Sequence, residues 1–257
     1  MCLALTAVVA CGGETVVIPI APAGDSGAEP ADSGTGSGDA IGAGGAGQCV
    51  PGLRILVDEV ANARDLGGTP LADGGVVACG QLFRAAAPVN LTAAGCAEFS
   101  DLGIRTVIDL RVESEVTSAP HSTCVGELAD IIHAPMPVPH DVSPEDYIAD
   151  LDAVDSVLLA FAALGDESAY PVYFHCTYGR DRSGVLSALM LLALGAQRAD
   201  IMTEYELTTV AGLSTFPESL EAVLDEIDRR GGVEMVLRAA GVTQNEIEVL
   251  RAQTIRR

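Results

Sequence analysis

Tryptophan is absent from this 257-residue sequence, and the aromatic residues together make up only 4% of it. A broad platform for stacking bases or sugars is therefore excluded. Basic residues are scarce as well. Fourteen Lys plus Arg stand against 36 Asp plus Glu, for a formal net charge of −22. Nucleic acid and anionic membrane surfaces repel such a chain, so no nucleic-acid partner is expected. An anionic ligand has to be gripped by local geometry. No apolar run reaches the roughly 20 residues that span a bilayer. Leu186 to Leu194 is apolar but short, and reads as a buried helix. No Cys-x-x-Cys pair or His-rich tract points to zinc, and neither a metal nor a cofactor is expected. Hydrophobic residues still make up 49%, in separate clusters, enough to build a good-sized domain with appendages.

The N-terminal part differs from the rest. Cys2 to Ala10 is a short apolar stretch that runs into Val8-Val9-Ala10-Cys11. It resembles a bacterial lipoprotein signal, although no Lys or Arg precedes it. The resemblance implies that residues 1–11 are a signal and that the protein is exported to the cell envelope. A lipid on Cys11 would then be its tie to the membrane. Residues 12–48, apart from Val16 to Ile20, are almost all Gly, Ala, Asp, Ser, Thr, Glu and Pro. Such a segment buries too little apolar surface to offset its conformational entropy, and reads as a disordered tether. A plain disordered tail with no anchor is the alternative. Cys49, Cys79, Cys96 and Cys124 either form two disulfides, in any of three pairings, or remain free buried thiols.

From residue 49 to 257 strands alternate with helices. Short strands are expected at Val76–Val77 and Leu82–Arg84 around a turn at Gly80, then at Thr106–Asp109, Ile131–Ala134 and Pro171–His175. Thr92 starts a helix that runs to about Leu102, and Ser143-Pro144 starts one that runs to about Ala163. Further helices are expected over 182–195, 200–210, 217–229, 233–239 and 244–252, the last with a capping box from Thr243 to Glu246. This is an α/β pattern, a central twisted sheet of four to five strands flanked by helices.

The chemistry concentrates in His175-Cys176-Thr177-Tyr178-Gly179-Arg180-Asp181-Arg182-Ser183-Gly184. A buried strand precedes this run and a helix follows it. Five residues between Cys176 and Arg182 can curl so that their backbone N–H groups point inward. With the helix N-terminus behind them, residues 177–182 make an anion cradle. The Cys176 thiol would lie at its base, ionised by the same positive field. Arg182 would return over the loop and grip two phosphate oxygens with its guanidinium fork. Thiolate attack on phosphorus, followed by water attack on the cysteinyl-phosphate, is the reaction this arrangement suits.

The run resembles the H-C-x5-R-[ST]-G signature of the protein tyrosine phosphatase superfamily. More narrowly, it is similar to the bacterial tyrosine/serine phosphatase branch, whose loop usually reads HC-x-x-G-K-D-R-T-G. Arg180 stands where Lys is usual, and Ser183 where Thr is usual. Asn62-Ala63-Arg64-Asp65-Leu66-Gly67-Gly68, Gln81 to Ala86, and Leu102 to Arg111 with Glu115 resemble further elements of that branch. The resemblance covers about residues 57–253. It implies hydrolysis of phosphoprotein or small phosphate monoesters, with His175 and Ser183 supporting Cys176. It leaves the proton donor open. Asp181 lies in the loop and Asp109 ends a strand beside it, and these two are favoured. Asp141, 35 residues before Cys176, is the third candidate, while Glu145 and Asp146 better suit a helix cap. Arg64, Asp65 and Arg111 are expected in structural ion pairs. A phosphoinositide or inositol phosphate phosphatase, and a phosphate-binding module without activity, are the rival functions. A rhodanese-like sulfur transferase fits the C-x5-R-S-G spacing poorly.

Overall fold

The computed structural model describes Val57 and residues 60–257. The signal, the tether, Cys11 and Cys49 lie outside the described residues.

β1 (Arg64–Asp65), β3 (Leu82–Ala85), β4 (Thr106–Asp109), β5 (Asp130–His133) and β6 (Val172–His175) form the central sheet, in the order β1-β3-β6-β4-β5. β2 (Val76–Val77) lies outside it. β3, β6, β4 and β5 run parallel, and β1 is antiparallel to β3. The sequence TVID is buried along its whole length, as is VYFH. That is what an interior parallel strand covered on both faces requires. Alternate side chains go to opposite faces. Leu82, Ile108, Val172 and Phe174 join the larger core, and Phe83, Ala85, Val107 and Tyr173 join the smaller.

The smaller core is closed by α1 (Ala93–Asp101) and α3 (Thr123–Leu128), which the Cys96–Cys124 disulfide joins. Cys79 is also disulfide-bonded. α2 (Glu113–Ser118) follows β4. The larger core is closed by α4 (Pro144–Leu151), α5 (Val154–Leu164), α6 (Arg182–Leu194), α7 (Arg198–Glu206), α8 (Pro217–Arg229), α9 (Val233–Ala239) and α10 (Gln244–Thr254). α6 is apolar around its circumference because it lies inside the protein, and it stops at Gly195, whose φ of +91° suits glycine. Thr92, Ser143 and Thr243 cap their helices as their sequences indicate.

One expectation needs correction. The single helix from Ser143 to about Ala163 is two helices, interrupted at Asp152-Ala153. α4 packs on α8 while α5 packs on α10 and β5, so one straight axis cannot serve both. Both strands expected around Gly80 are present, and each pairs elsewhere. β2 pairs with β7 (Ile255–Arg256), and β3 enters the central sheet.

The parallel register puts Ala85, His175, Asp109 and His133 side by side at the carboxyl ends of their strands. A ligand site in an open α/β sheet is expected at that edge.

Candidate active site

Between β6 and α6 the chain makes the loop that runs from Cys176 to Asp181. Gly179 is its sharpest point, with φ +65°. A Cβ there would come within 2.3 Å of the Ala85 carbonyl carbon, so only glycine fits against β3. Cys176 is almost fully buried, and its Sγ lies 3.5 Å from Ser183 Oγ. Burial alone would push the thiol up. Arg182 and the backbone N–H and hydroxyl of Ser183 outweigh it, and hold Cys176 below the ordinary thiol value.

Arg182 is clamped from one side. Its Nη1 donates to Glu115 Oε2 at 2.6 Å and to the Leu110 carbonyl at 3.3 Å, and its Nη2 to Glu115 Oε1 at 2.8 Å. Thr177 also donates to Glu115, and its hydroxyl receives a 3.3 Å contact from Arg182 Nη2. Burial would raise the Glu115 carboxyl, but Arg182 and Thr177 hold it down to about 2. The Arg182 Nε–H is buried and has no partner among the described residues. An unpaired buried donor is costly unless a ligand receives it, so the Nε–H marks a place for an anion oxygen.

A loop whose N–H groups turn inward must turn carbonyls outward, and these need donors too. Asn62 Nδ2 donates to the Tyr178 and Gly179 carbonyls at 3.2 and 2.8 Å. Arg84 donates from Nε to the Gly179 carbonyl at 3.1 Å and from Nη2 to the Arg180 carbonyl at 2.9 Å. Behind them Glu204 accepts from both Arg84 and Arg64, and Arg64 in turn holds Asn62 Oδ1 at 2.6 Å. Thus Asn62, Arg84 and Glu204 brace the loop from outside. Sequence reasoning gave them no such role. The one local signal was a charge set inside the otherwise apolar strand Leu82-Phe83-Arg84-Ala85.

Both favoured candidate acids are paired with an arginine, Asp181 with Arg180 and Asp109 with Arg111. Asp181 is buried at the N-cap of α6, and accepts from Arg180 Nε at 2.8 Å and from the Tyr147 hydroxyl. Tyr147 and Tyr205 hydroxyls are 2.8 Å apart. Asp109 is taken up by Arg111, whose Nε and Nη2 donate to it at 3.0 and 2.8 Å. Burial would raise Asp109, but Arg111 and then His175 pull it below the ordinary carboxylate value. Held toward its ionised form in this way, Asp109 is poorly placed to give up a proton. Asp141 is 80% exposed and pairs with His140, while Asp146 caps α4. Arg64 and Arg111 sit in buried ion pairs, and Asp65 instead accepts the Gly67 and Gly80 N–H groups. Arg180 is paired with Asp181, donates to the Ser214 carbonyl, and lies 4.6 Å from the Phe216 ring and 5.8 Å from that of Tyr178. Tyr178 is exposed beside it.

The chain is similar to several known proteins. A protein of Cupriavidus necator named "Putative tyrosine-protein phosphatase H16_A0669" is 29% identical over 202 residues, covering 66% of this chain and 73% of its own. Among solved structures, TpbA of P. aeruginosa in complex with pTyr is 17% identical, with a TM-score of 0.40, over 66% of this chain and 91% of its own. PTPMT1 in complex with PI(5)P is 20% identical, with a TM-score of 0.39, over 62% and 95%. The model of the tyrosine phosphatase family matches residues 55–256, which include every residue of the loop and its braces, and the chain belongs to that family.

Proposed function

We propose that this protein is a tyrosine phosphatase that works through a cysteinyl-phosphate. The observation that carries the reading is the pairing of a buried thiol held toward its ionised form with a buried Arg182 Nε–H that has no partner among the described residues. Cys176 Sγ attacks phosphorus, the ester P–O bond breaks, and the leaving oxygen takes a proton. Asp181 supplies that proton. Water then gives a proton to the Asp181 carboxylate as its oxygen attacks phosphorus, the S–P bond breaks, and the electron pair returns to sulfur as phosphate leaves. The inward N–H groups and Arg182 carry the charge of the phosphoryl oxygens through both steps.

A substrate with a single phosphate fits best. Arg64, Arg84, Arg111, Arg180 and Arg182 are all paired with carboxylates, so a second phosphate would have to break an existing ion pair. Exposed Tyr178 offers an aromatic wall for a phosphotyrosine ring.

The test is hydrolysis of an aryl phosphate in EDTA, with and without vanadate, by the natural chain, Cys176→Ser and Asp181→Asn. Turnover should persist in EDTA, stop with vanadate and vanish in Cys176→Ser. Asp181→Asn should lose more rate with a poor leaving group than with a good one. Activity retained in Cys176→Ser would sink the mechanism, and equal losses on both leaving groups would remove Asp181 as the acid.

A further inference from the structure

Asp181 lies where α4, α6 and α7 meet, and a chain of hydroxyl groups reaches it that the chemistry above does not use. Tyr147 stands on α4 and Tyr205 on α7, and both are fully buried. The Tyr147 hydroxyl meets Asp181 Oδ1, the two phenol oxygens are 2.8 Å apart, and the Phe216 backbone N–H donates to the Tyr205 oxygen at 3.1 Å. Arg180 grips Asp181 as well. Its Nε donates to the same Oδ1 at 2.8 Å and its Nη2 to Oδ2 at 3.2 Å. Arg180 is itself held by the Ser214 carbonyl and the Phe216 ring. One short segment ahead of α8 therefore stands behind both grips.

The direction of the chain follows from its two ends. A backbone N–H only donates, so the Tyr205 oxygen accepts from Phe216. Burial, before any other cause, pushes both phenols up, so each keeps its single hydrogen. If Tyr205 donates to Tyr147, Tyr147 donates to Asp181 and every hydrogen has an acceptor. The reverse order leaves the buried Tyr205 hydrogen with no acceptor among the described residues, which is costly. The chain ends at a backbone N–H, which cannot pass a proton on, so it orients Asp181 and does not conduct. Oδ1 then receives two hydrogens, one from Tyr147 and one from Arg180 Nε, and has no lone pair left for a proton. A proton carried by Asp181 has to sit on Oδ2.

We propose that Tyr147 is a positioning residue, which with Tyr205 behind it keeps the proton of Asp181 on Oδ2, the oxygen that meets the leaving group. The inference rests on the reading of Asp181 as the proton donor. Without the Tyr147 hydroxyl the proton can settle on Oδ1, which faces α4 instead of the ester.

The test reads kcat/KM, which measures the barrier up to cleavage of the ester bond, on phenyl phosphate, a poor leaving group, and on p-nitrophenyl phosphate, a good one. The natural chain, Tyr147→Phe, Asp181→Asn and the two changes together are compared. Tyr147→Phe should lose about tenfold on phenyl phosphate, part of the roughly 100-fold or more that a general acid supplies, and less than about twofold on p-nitrophenyl phosphate. On the Asp181→Asn background it should cost nothing further, because the proton it positions is gone. Equal losses on the two esters in Tyr147→Phe overturn the proposal, since a hydroxyl that merely braces the loop would slow both. So does an undiminished loss on the Asp181→Asn background. Tyr205→Phe decides the matter if Tyr147→Phe does not fold. It should show the same selectivity with a smaller loss, and equal losses there count against the proposal too. Asp181→Asn judges the underlying reading. If it slows both esters equally, Asp181 is not the acid and the proposal falls with it. A selective loss in Asp181→Asn beside an unselective one in Tyr147→Phe removes the positioning role alone.

Discussion

Asp150 is the residue whose place in the molecule is hardest to reconcile with stability. It sits on α4, fully buried, and neither carboxylate oxygen has a hydrogen-bond partner among the described residues. Burial raises its carboxyl well above the ordinary value. Arg182 opposes that rise, and Cys176, Asp181 and Asp146 add to it. The folded protein therefore keeps a proton that the unfolded chain releases above roughly pH 4. Between that pH and its folded value, Asp150 weakens the fold as pH rises. Asp150→Asn cannot ionise. Its advantage in unfolding free energy over the natural chain, read by denaturant titration, should be small near about pH 5 and grow toward about pH 8, to roughly 1–3 kcal/mol. A constant difference across that range would show that Asp150 does not titrate in the fold.

Among the elements, the loop owes its shape to strands and helices it does not belong to. Glu204 on α7 holds Arg64 and Arg84, and these, with Asn62, hold the outward carbonyls. Burial would raise Glu204, but Arg64 and then Arg84 keep it below the ordinary carboxylate value. Its stabilisation is therefore present above the unfolded carboxylate pKa and lost as pH falls through the depressed folded one. Glu204→Gln leaves two buried guanidinium groups facing a neutral amide. It should cost about 3–5 kcal/mol in denaturant titration, and kcat should fall in protein that is still folded. Unchanged kcat in folded Glu204→Gln would show that the brace supports the fold but not the site.

Much of this was legible from local sequence, and the limit has a physical cause. TVID, VYFH and the caps at Thr92, Ser143 and Thr243 are set by residues within a few positions of one another, and each stands where expected. Cys176 and Arg182 flank one short loop, so the roles proposed for them could be read from their spacing. β1 and β7 have two residues each, too few for a pattern. Glu204 and Asn62 reach the loop, the first through Arg84, only by way of the tertiary fold. The break at Asp152-Ala153 depends on which helices α4 and α5 meet.

For the molecule as a whole, the balance of charge matters more than the count. All the basic residues are arginine, and Arg64, Arg84, Arg111 and Arg182 are buried in ion pairs with carboxylates. The outer surface is left strongly acidic. An anionic phosphate ester is repelled until it reaches the cradle, and salt screens that repulsion. Raising sodium chloride from about 20 to about 200 mM should raise kcat/KM for an aryl phosphate by about two- to threefold. A fall with salt would mean that a local cationic patch, not the cradle alone, guides the substrate.

The brace has a consequence for the order of events during synthesis. Cys176 and Arg182 leave the ribosome before Glu204 does. Until Glu204 arrives, Arg84 and Arg64 have no counter-charge with which to enter the interior, and the carbonyls of Tyr178, Gly179 and Arg180 lack their donors. On the proposed mechanism, a nascent chain would carry Cys176 as an ordinary thiol until α7 docks and the loop takes its shape.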